Sequence, residues 1–181
     1  MQIRQSLPML WLISDARSDA QLQSALRRLP RGSGFVFRHY HLPPAERLAR
    51  FKALARLARA RGHVLILSGS AAEARRWGAD GAYGAPLRIG SGADLLRLAT
   101  VHSLRELRRT RRADAVLLSP VFPTRSHPDG KVLGPLRFRL IAAQSRVPVI
   151  ALGGMNRRTA QRLKHRRWAA IDGLSATKRL A

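Results

Sequence analysis

The residues best suited to chemistry stand where apolar runs give out. Gly153 and Gly154 close the run VPVIAL, and a paired glycine lets main-chain amides approach a ligand closely, with Asn156 placed to cap the helix behind them. Amide N–H groups at a helix start receive anions, so the pair, together with Ser175 in GLSA after the next apolar run, reads as a phosphate-binding position. The competing reading is a tight turn. His102 ends ATVH directly before Ser103, where an imidazole that titrates near neutrality suits acid–base work, against the blander alternative of a structural or surface histidine. Arg38, ending FVFR, is a candidate phosphate partner or a surface cation, and Thr100 sits at the end of LLRLAT. The stretch LSPVFPTRSHPDGK, 118–131, crowds Thr124, Ser126, His127 and Lys131 into a place where a short turn would suffice.

Eight short apolar runs must carry these residues: PMLWLIS, GFVFRHY, HVLILSG, DGAYGA, LLRLATV, DAVLLSP, PVIALGG and AAIDGLS. Between them lie segments rich in alanine, leucine and arginine with one-sided helical spacing, except PLRIGSGAD, which is too short for a helix. Ser18 with Gln21, Ser70 with Glu73 and Ser103 with Glu106 have the spacing of a capping box. Strands apolar on both faces and alternating with helices predict a parallel sheet, and eight such units predict a (β/α)8 TIM barrel, one domain over 1–181. A doubly wound open sheet is the runner-up, weakened because no glycine fingerprint follows the first strand. The chain is short for a barrel and ends just after the eighth strand, so the last helix is expected to be missing and apolar barrel surface to be exposed beside it.

Bulk composition narrows the classes. With no cysteine there is no disulfide or thiolate metal site, which fits a cytoplasmic location, and no apolar run reaches the ~20 residues of a membrane span. The net charge of +24 invites a nucleic-acid partner. The arginines are spread over helical segments with no basic tail and few aromatics, so a solvated basic surface is preferred. Asp15 alone follows its strand at once and Asp172 falls inside the eighth, so no two- or three-carboxylate metal site assembles.

The motifs VHSLREL (101–107), ADAVLLSPVFPT (113–124) and VPVIALGGM (147–155), in this order, resemble the thiamine phosphate synthase and TenI family, over roughly residues 9 to 177. The resemblance implies a barrel, commonly dimeric, that binds a phosphorylated thiazole near the glycine pair. Synthases of this family join that thiazole phosphate to a hydroxymethylpyrimidine pyrophosphate with magnesium. TenI members isomerise a thiazole carboxylate phosphate, with the histidine that matches His102 implicated in proton transfer.

Carried over by residue, the resemblance divides the site in two. The thiazole-phosphate half is kept as Thr124, Ser126, Gly153, Gly154 and Ser175, with Arg38 retained after the second strand. The magnesium and pyrophosphate half is not: the family carboxylate positions are Gly69 and Arg88, and the family lysine of the 118–131 loop is His127, with Lys131 near enough in sequence to substitute. The expectation is a thiazole-phosphate-binding member, synthase-like or a TenI-like tautomerase, without a confident cofactor. A non-catalytic phosphate-ligand sensor or regulatory protein is the alternative, and a basic nucleic-acid binder a weaker third.

Overall fold

A computed structural model describes residues 7–89, 94–124 and 131–175 of the chain. Eight strands form a closed barrel in sequence order, every neighbouring pair parallel: β1 (Leu10–Ile13), β2 (Gly34–Phe37), β3 (Val64–Ser68), β4 (Gly81–Gly84), β5 (Leu96–Val101), β6 (Ala115–Leu118), β7 (Val149–Ala151) and β8 (Trp168–Ala170). β8 pairs back to β1 through Leu10, Trp11 and Leu12, which closes the sheet.

Side-chain alternation along each strand splits the core into two shells. Trp11, Ile13, Val36, Ile66, Leu98, Leu117 and Ile150 fill the barrel, while Leu12, Phe35, Phe37, Leu65, Leu67 and Leu118 pack outward against the helices. Gly34 is required by the inner shell, because a Cβ there would fall inside the Trp11 ring. Continuing the alternation by one step puts Arg38, Ser68, Thr100 and Ser119 on the inner face at the carboxyl ends of the strands, the barrel mouth.

The helical layer is uneven. It comprises α1 (Leu22–Arg28), preceded by a 3-10 turn over Ala16–Gln21, α2 (Pro44–Ala60), α3 (Ala71–Trp77), α4 (Leu104–Leu107), α5 (Gly134–Ala142), α6 (Arg157–Leu163) and α7 (Asp172–Ser175). Ser70 and Ser103 cap α3 and α4 as their spacing predicts, accepting from the N–H groups of Glu73 and Glu106 at 3.1 and 3.2 Å. Ser18 does not cap: it lies buried within the 3-10 turn, which Asp15 caps instead. The eighth strand stops at Ala170, two residues before Asp172 opens α7, so the run AAIDGLS holds the last two residues of the strand and the whole of the helix.

The expected missing helix falls on residues 176–181, outside the described residues. The expected exposed seam at β8 and β1 is not found: Leu12 and Ala170 are 0% and 3% exposed. α7 packs against α1 there, and Arg28 Nη2 donates to the Ser175 carbonyl at 3.4 Å.

Candidate functional site

The glycine pair lines a cavity of about 320 Å³ at the ends of β6, β7 and β8, with Pro123, Thr124, Asn156 and Gly173 also on its wall. Gly153 and Gly154 have φ of +92° and +61°, conformations that suit glycine. They also permit close loop packing: a Cβ on Gly153 would stand 2.6 Å from Pro120, and one on Gly154 2.7 Å from the Phe122 Cβ. Behind them Asn156 closes a reciprocal cap on α6, its Oδ1 accepting from Thr159 N at 3.0 Å and its own N–H donating to Thr159 Oγ1 at 2.8 Å. Among the described residues no internal acceptor is found for the consecutive N–H groups of Gly153, Gly154 and Met155, all of which line the cavity. Three unspent amide donors beside an open cavity make an anion-receiving surface.

Thr124, Gly153 and Gly154 are therefore brought together. Ser126 and His127 lie outside the described residues. Ser175 is not on the cavity wall: it is 2% exposed, and both its hydroxyl and its N–H go back to the Ile171 carbonyl, at 2.8 and 3.3 Å, because Asp172–Ser175 is helix and not strand end. In its place the eighth-strand side of the cavity presents Asp172, whose carboxylate stands 3.7 Å from Arg17 Nη1.

Arg38 and Thr100 face the mouth on other strands. The Arg38 guanidinium lies 5.8 Å from the Tyr40 ring centroid. Its field reaches Tyr83 and Asp15: burial pushes the Tyr83 phenol up to about 12, with Arg38 acting in the opposite direction. For Asp15 burial is likewise opposed, by the Arg17 hydrogen bond and by the charges of Arg17 and Arg38, and the carboxyl is held below its usual range.

His102 is exposed at the end of β5. Its Nδ1 lies 2.9 Å from the Ser119 carbonyl oxygen, an acceptor only, so in the neutral ring Nδ1 carries the proton and Nε2 the lone pair. That is the tautomer of a base. His102 lines a different cavity from the glycine pair, a groove between α4 and α5 that also includes Lys131. The two are linked just beyond the end of β6, where Ser119 touches His102 and its neighbour Pro120 packs on Gly153.

The residues at the magnesium positions of the resembled family do not fit a divalent cation. Gly69 has no donor, and the carboxylate nearest to it, Glu73, occupies the space a Cβ at 69 would need. Glu73 is already held by Arg47 Nη1 at 3.1 Å. Arg88 is an exposed cation on the β4–β5 connection, and among the described residues no group of three or more metal-binding side chains converges.

Sequence reading missed two arrangements at the ends of β1, β2 and β3. Ser14 Oγ stands 2.8 Å from His39 Nδ1, and His39 Nε2 stands 2.7 Å from Asp19 Oδ1. The carboxylate can only accept, so Nε2–H donates to it and the serine hydroxyl donates to Nδ1. The order matches a nucleophile–base–acid relay, but Ser14 and His39 are 0% and 1% exposed, and His39 stacks on the outward-facing Phe37 at 4.6 Å. Buried between sheet and helix, with Ser14 Oγ also accepting the Arg38 N–H at 2.8 Å, the relay braces the strand ends and reaches no ligand. Arg47, the second, is 9% exposed, and its guanidinium donates to the carbonyls of Arg38 and Ser68 at 3.0 and 2.7 Å. Both arrangements join residues 20 or more apart in places, a distance at which local spacing carries no signal.

Comparison with known proteins places this geometry. The sequence model of one family, described as thiamine monophosphate synthase, matches residues 10–176. A thiamine-phosphate synthase of Pyrococcus furiosus is 26% identical over 184 residues, covering 97% of this chain and 87% of the relative. Among solved structures, a thiamine phosphate pyrophosphorylase from Pyrococcus furiosus superposes with a TM-score of 0.78 at 24% identity, covering 93% of this chain and 88% of that one. One from Bacteroides thetaiotaomicron superposes with a TM-score of 0.63 at 14% identity, covering 95% and 88%. An aldolase from Escherichia coli K12 reaches 0.60 at 8% identity, covering 91% and 75%, so the barrel is shared more widely than any one chemistry.

Proposed function

Since the chain belongs to the thiamine monophosphate synthase family, we propose that it binds a thiazole phosphate, with the phosphate in the cavity at the ends of β6, β7 and β8. The observation that carries this reading is the run of unspent N–H groups on Gly153, Gly154 and Met155 along the cavity wall. Thr124 on the same wall, Arg38 and Thr100 across the mouth, and Ser126 and His127 in the loop from β6 complete the proposed contact set. Ser175 contributes packing, not a hydrogen bond to the ligand. The whole chain, 1–181, acts as one such barrel in this reading, and assembles as the dimer common in the family.

The chemistry that best suits the residues present is proton transfer on the thiazole. His102 Nε2 takes a proton from the ligand and returns it at another position, while the Ser119 carbonyl holds Nδ1–H and fixes the tautomer. Two inter-strand steps from β7 to β5 span about 10 Å, within reach of a ring on a short phosphate arm. The condensation with a pyrophosphate ester is disfavoured, because Gly69 and Arg88, at the family carboxylate positions, cannot hold the cation that offsets the leaving charge, a contribution of several kcal/mol. A ligand sensor without turnover is the second reading, favoured by that same loss at Gly69 and Arg88.

Calorimetric titration with thiazole phosphate tests the binding, and its absence defeats the proposal. Isomerisation followed by proton NMR separates the two readings. His102→Ala should abolish turnover and leave affinity nearly unchanged if the protein is a tautomerase, whereas binding without turnover in the parent identifies a sensor. Synthase activity that depends on magnesium would overturn the reading of the pyrophosphate half.

A further inference from the structure

On the outer wall of the barrel, between α4 and α5, two adjoining cavities of about 350 and 600 Å³ share Leu104 and Gln144. They form one furrow, from His102 and Lys131 near the mouth to Arg111 and Arg146 near the opposite end. It exists because α4 stops after four residues, where a barrel would normally lay a full helix over β5 and β6. The turn that ends α4 is fixed by Thr110, whose hydroxyl donates to the Leu107 carbonyl at 2.7 Å.

The furrow floor is apolar, made by Leu104, Leu107, Val132, Leu140 and Val147. Leu140 is 60% exposed and Leu136, one turn earlier on α5, 73% exposed, so this floor and its lip are incompletely covered. The rim is cationic: Lys131 and Arg137 above, Arg108, Arg111 and Arg146 below, all exposed. Among the described residues none of these five lies within 4 Å of a carboxylate. The carboxylate nearest to Arg108 in sequence, Glu106, is committed to the His102 N–H at 2.9 Å.

We infer that this furrow docks an acidic amphipathic helix of a partner protein, its apolar stripe on the floor and its carboxylates on the rim. An apolar groove with charged edges is the receptor half of helix-in-groove recognition. Its length, set by strands of four to six residues, is about 15–20 Å, or three helical turns. A second copy of this chain is the wrong occupant, since pairing would set arginine rim against arginine rim in a protein of net charge +24. A bilayer cannot reach into the concavity, where Leu107 is 6% exposed. Among the described residues no phenylalanine, tyrosine or tryptophan lines either cavity to stack the bases of a single strand, and His102 is the one ring at its edge.

The test measures fluorescence anisotropy of labelled peptides of about 14 residues on the full chain, with leucine at i, i+3, i+4 and i+7 and glutamate on the opposite face. Each peptide of the panel is matched by a scrambled sequence of identical composition. A single-stranded oligonucleotide and phosphatidylserine vesicles serve as competitors. At least one patterned peptide should bind about tenfold or more tighter than its scrambled partner, and Arg111→Glu with Arg146→Glu should weaken it by a similar factor. Leu140→Glu should do the same, with parent and variants matched in melting temperature so that folding is not the cause. Equal binding of patterned and scrambled peptides throughout the panel overturns the inference. So does indifference to Leu140→Glu, or displacement of the peptide by oligonucleotide or vesicles at lower charge concentration than by unlabelled peptide.

Discussion

Asp172 places a carboxylate on a cavity wall whose other polar lining is mostly amide donors, and that opposition can be measured. A unit charge a few ångströms from a bound phosphate, partly screened by solvent and by Arg17, opposes binding by about 1 kcal/mol. Asp172→Asn should therefore tighten thiazole phosphate or inorganic phosphate by roughly 3- to 10-fold in low-salt calorimetry. Unchanged affinity would place the anion elsewhere. Gly154→Ala should act in the opposite sense, since its Cβ would press on Phe122 and the Pro123 carbonyl at a φ of +61°. The loop from β6 must then move away from the donors, weakening the ligand by about tenfold or more and destabilising the fold by ~2 kcal/mol. A Gly154→Ala protein that binds normally would show that the glycine serves packing alone.

Arg47 joins three elements with one side chain, linking the ends of β2 and β3 to α3 through two carbonyls and Glu73. Its guanidinium lies 5.0 to 5.8 Å from the ring centroids of Trp77, Tyr40 and Phe37. Removing it leaves buried carbonyls without a donor and a cavity among aromatic rings. Arg47→Ala should cost about 3 kcal/mol in urea unfolding, and Arg47→Lys, which cannot fork to both carbonyls, most of that. A loss below 1 kcal/mol would mean that water replaces the guanidinium. At this scale the sequence was legible where the signal is local. All eight apolar runs overlap a strand, and two of the three expected serine caps form, because period and cap spacing are set within a few residues. AAIDGLS misled because an apolar run says nothing of where extended backbone turns helical, and Ser175 lies in that helix, off the cavity wall. LRELRRTRR has helical composition yet forms one turn, since the Thr110 side chain diverts the chain after Leu107.

For the molecule as a whole, acid sensitivity follows from two buried histidines and not from the site. Burial is the leading cause that lowers the His39 pKa below its usual value, and it prevails over the hydrogen bond and charge of Asp19. His63, 3% exposed with Nε2 donating to the Leu26 carbonyl at 3.0 Å, is lowered for the same leading reason. Above pH ~6.5 both imidazoles are neutral folded and unfolded, and contribute no slope. As pH falls below that value the unfolded chain binds protons that the folded one refuses, so stability falls, and the loss levels off once the depressed folded values are reached. The lowered carboxyl of Asp19, burial opposing the hydrogen bonds from His39 and Arg50 that lower it, adds its own loss only in the carboxylate range. The melting temperature should therefore drop by several degrees between pH 7 and pH 5. Self-repulsion from the +24 charge, which histidine protonation increases, acts in the same direction, and salt separates the two effects. High salt should raise the whole curve while leaving the slope between pH 7 and 5, because the relay at His39 is shielded from solvent. His39→Gln should start from a lower melting temperature at pH 7 and show a shallower fall, with His63 supplying the remainder. A slope that vanishes in high salt would assign the acid sensitivity to surface charge, and one that His39→Gln leaves intact would remove His39 from it.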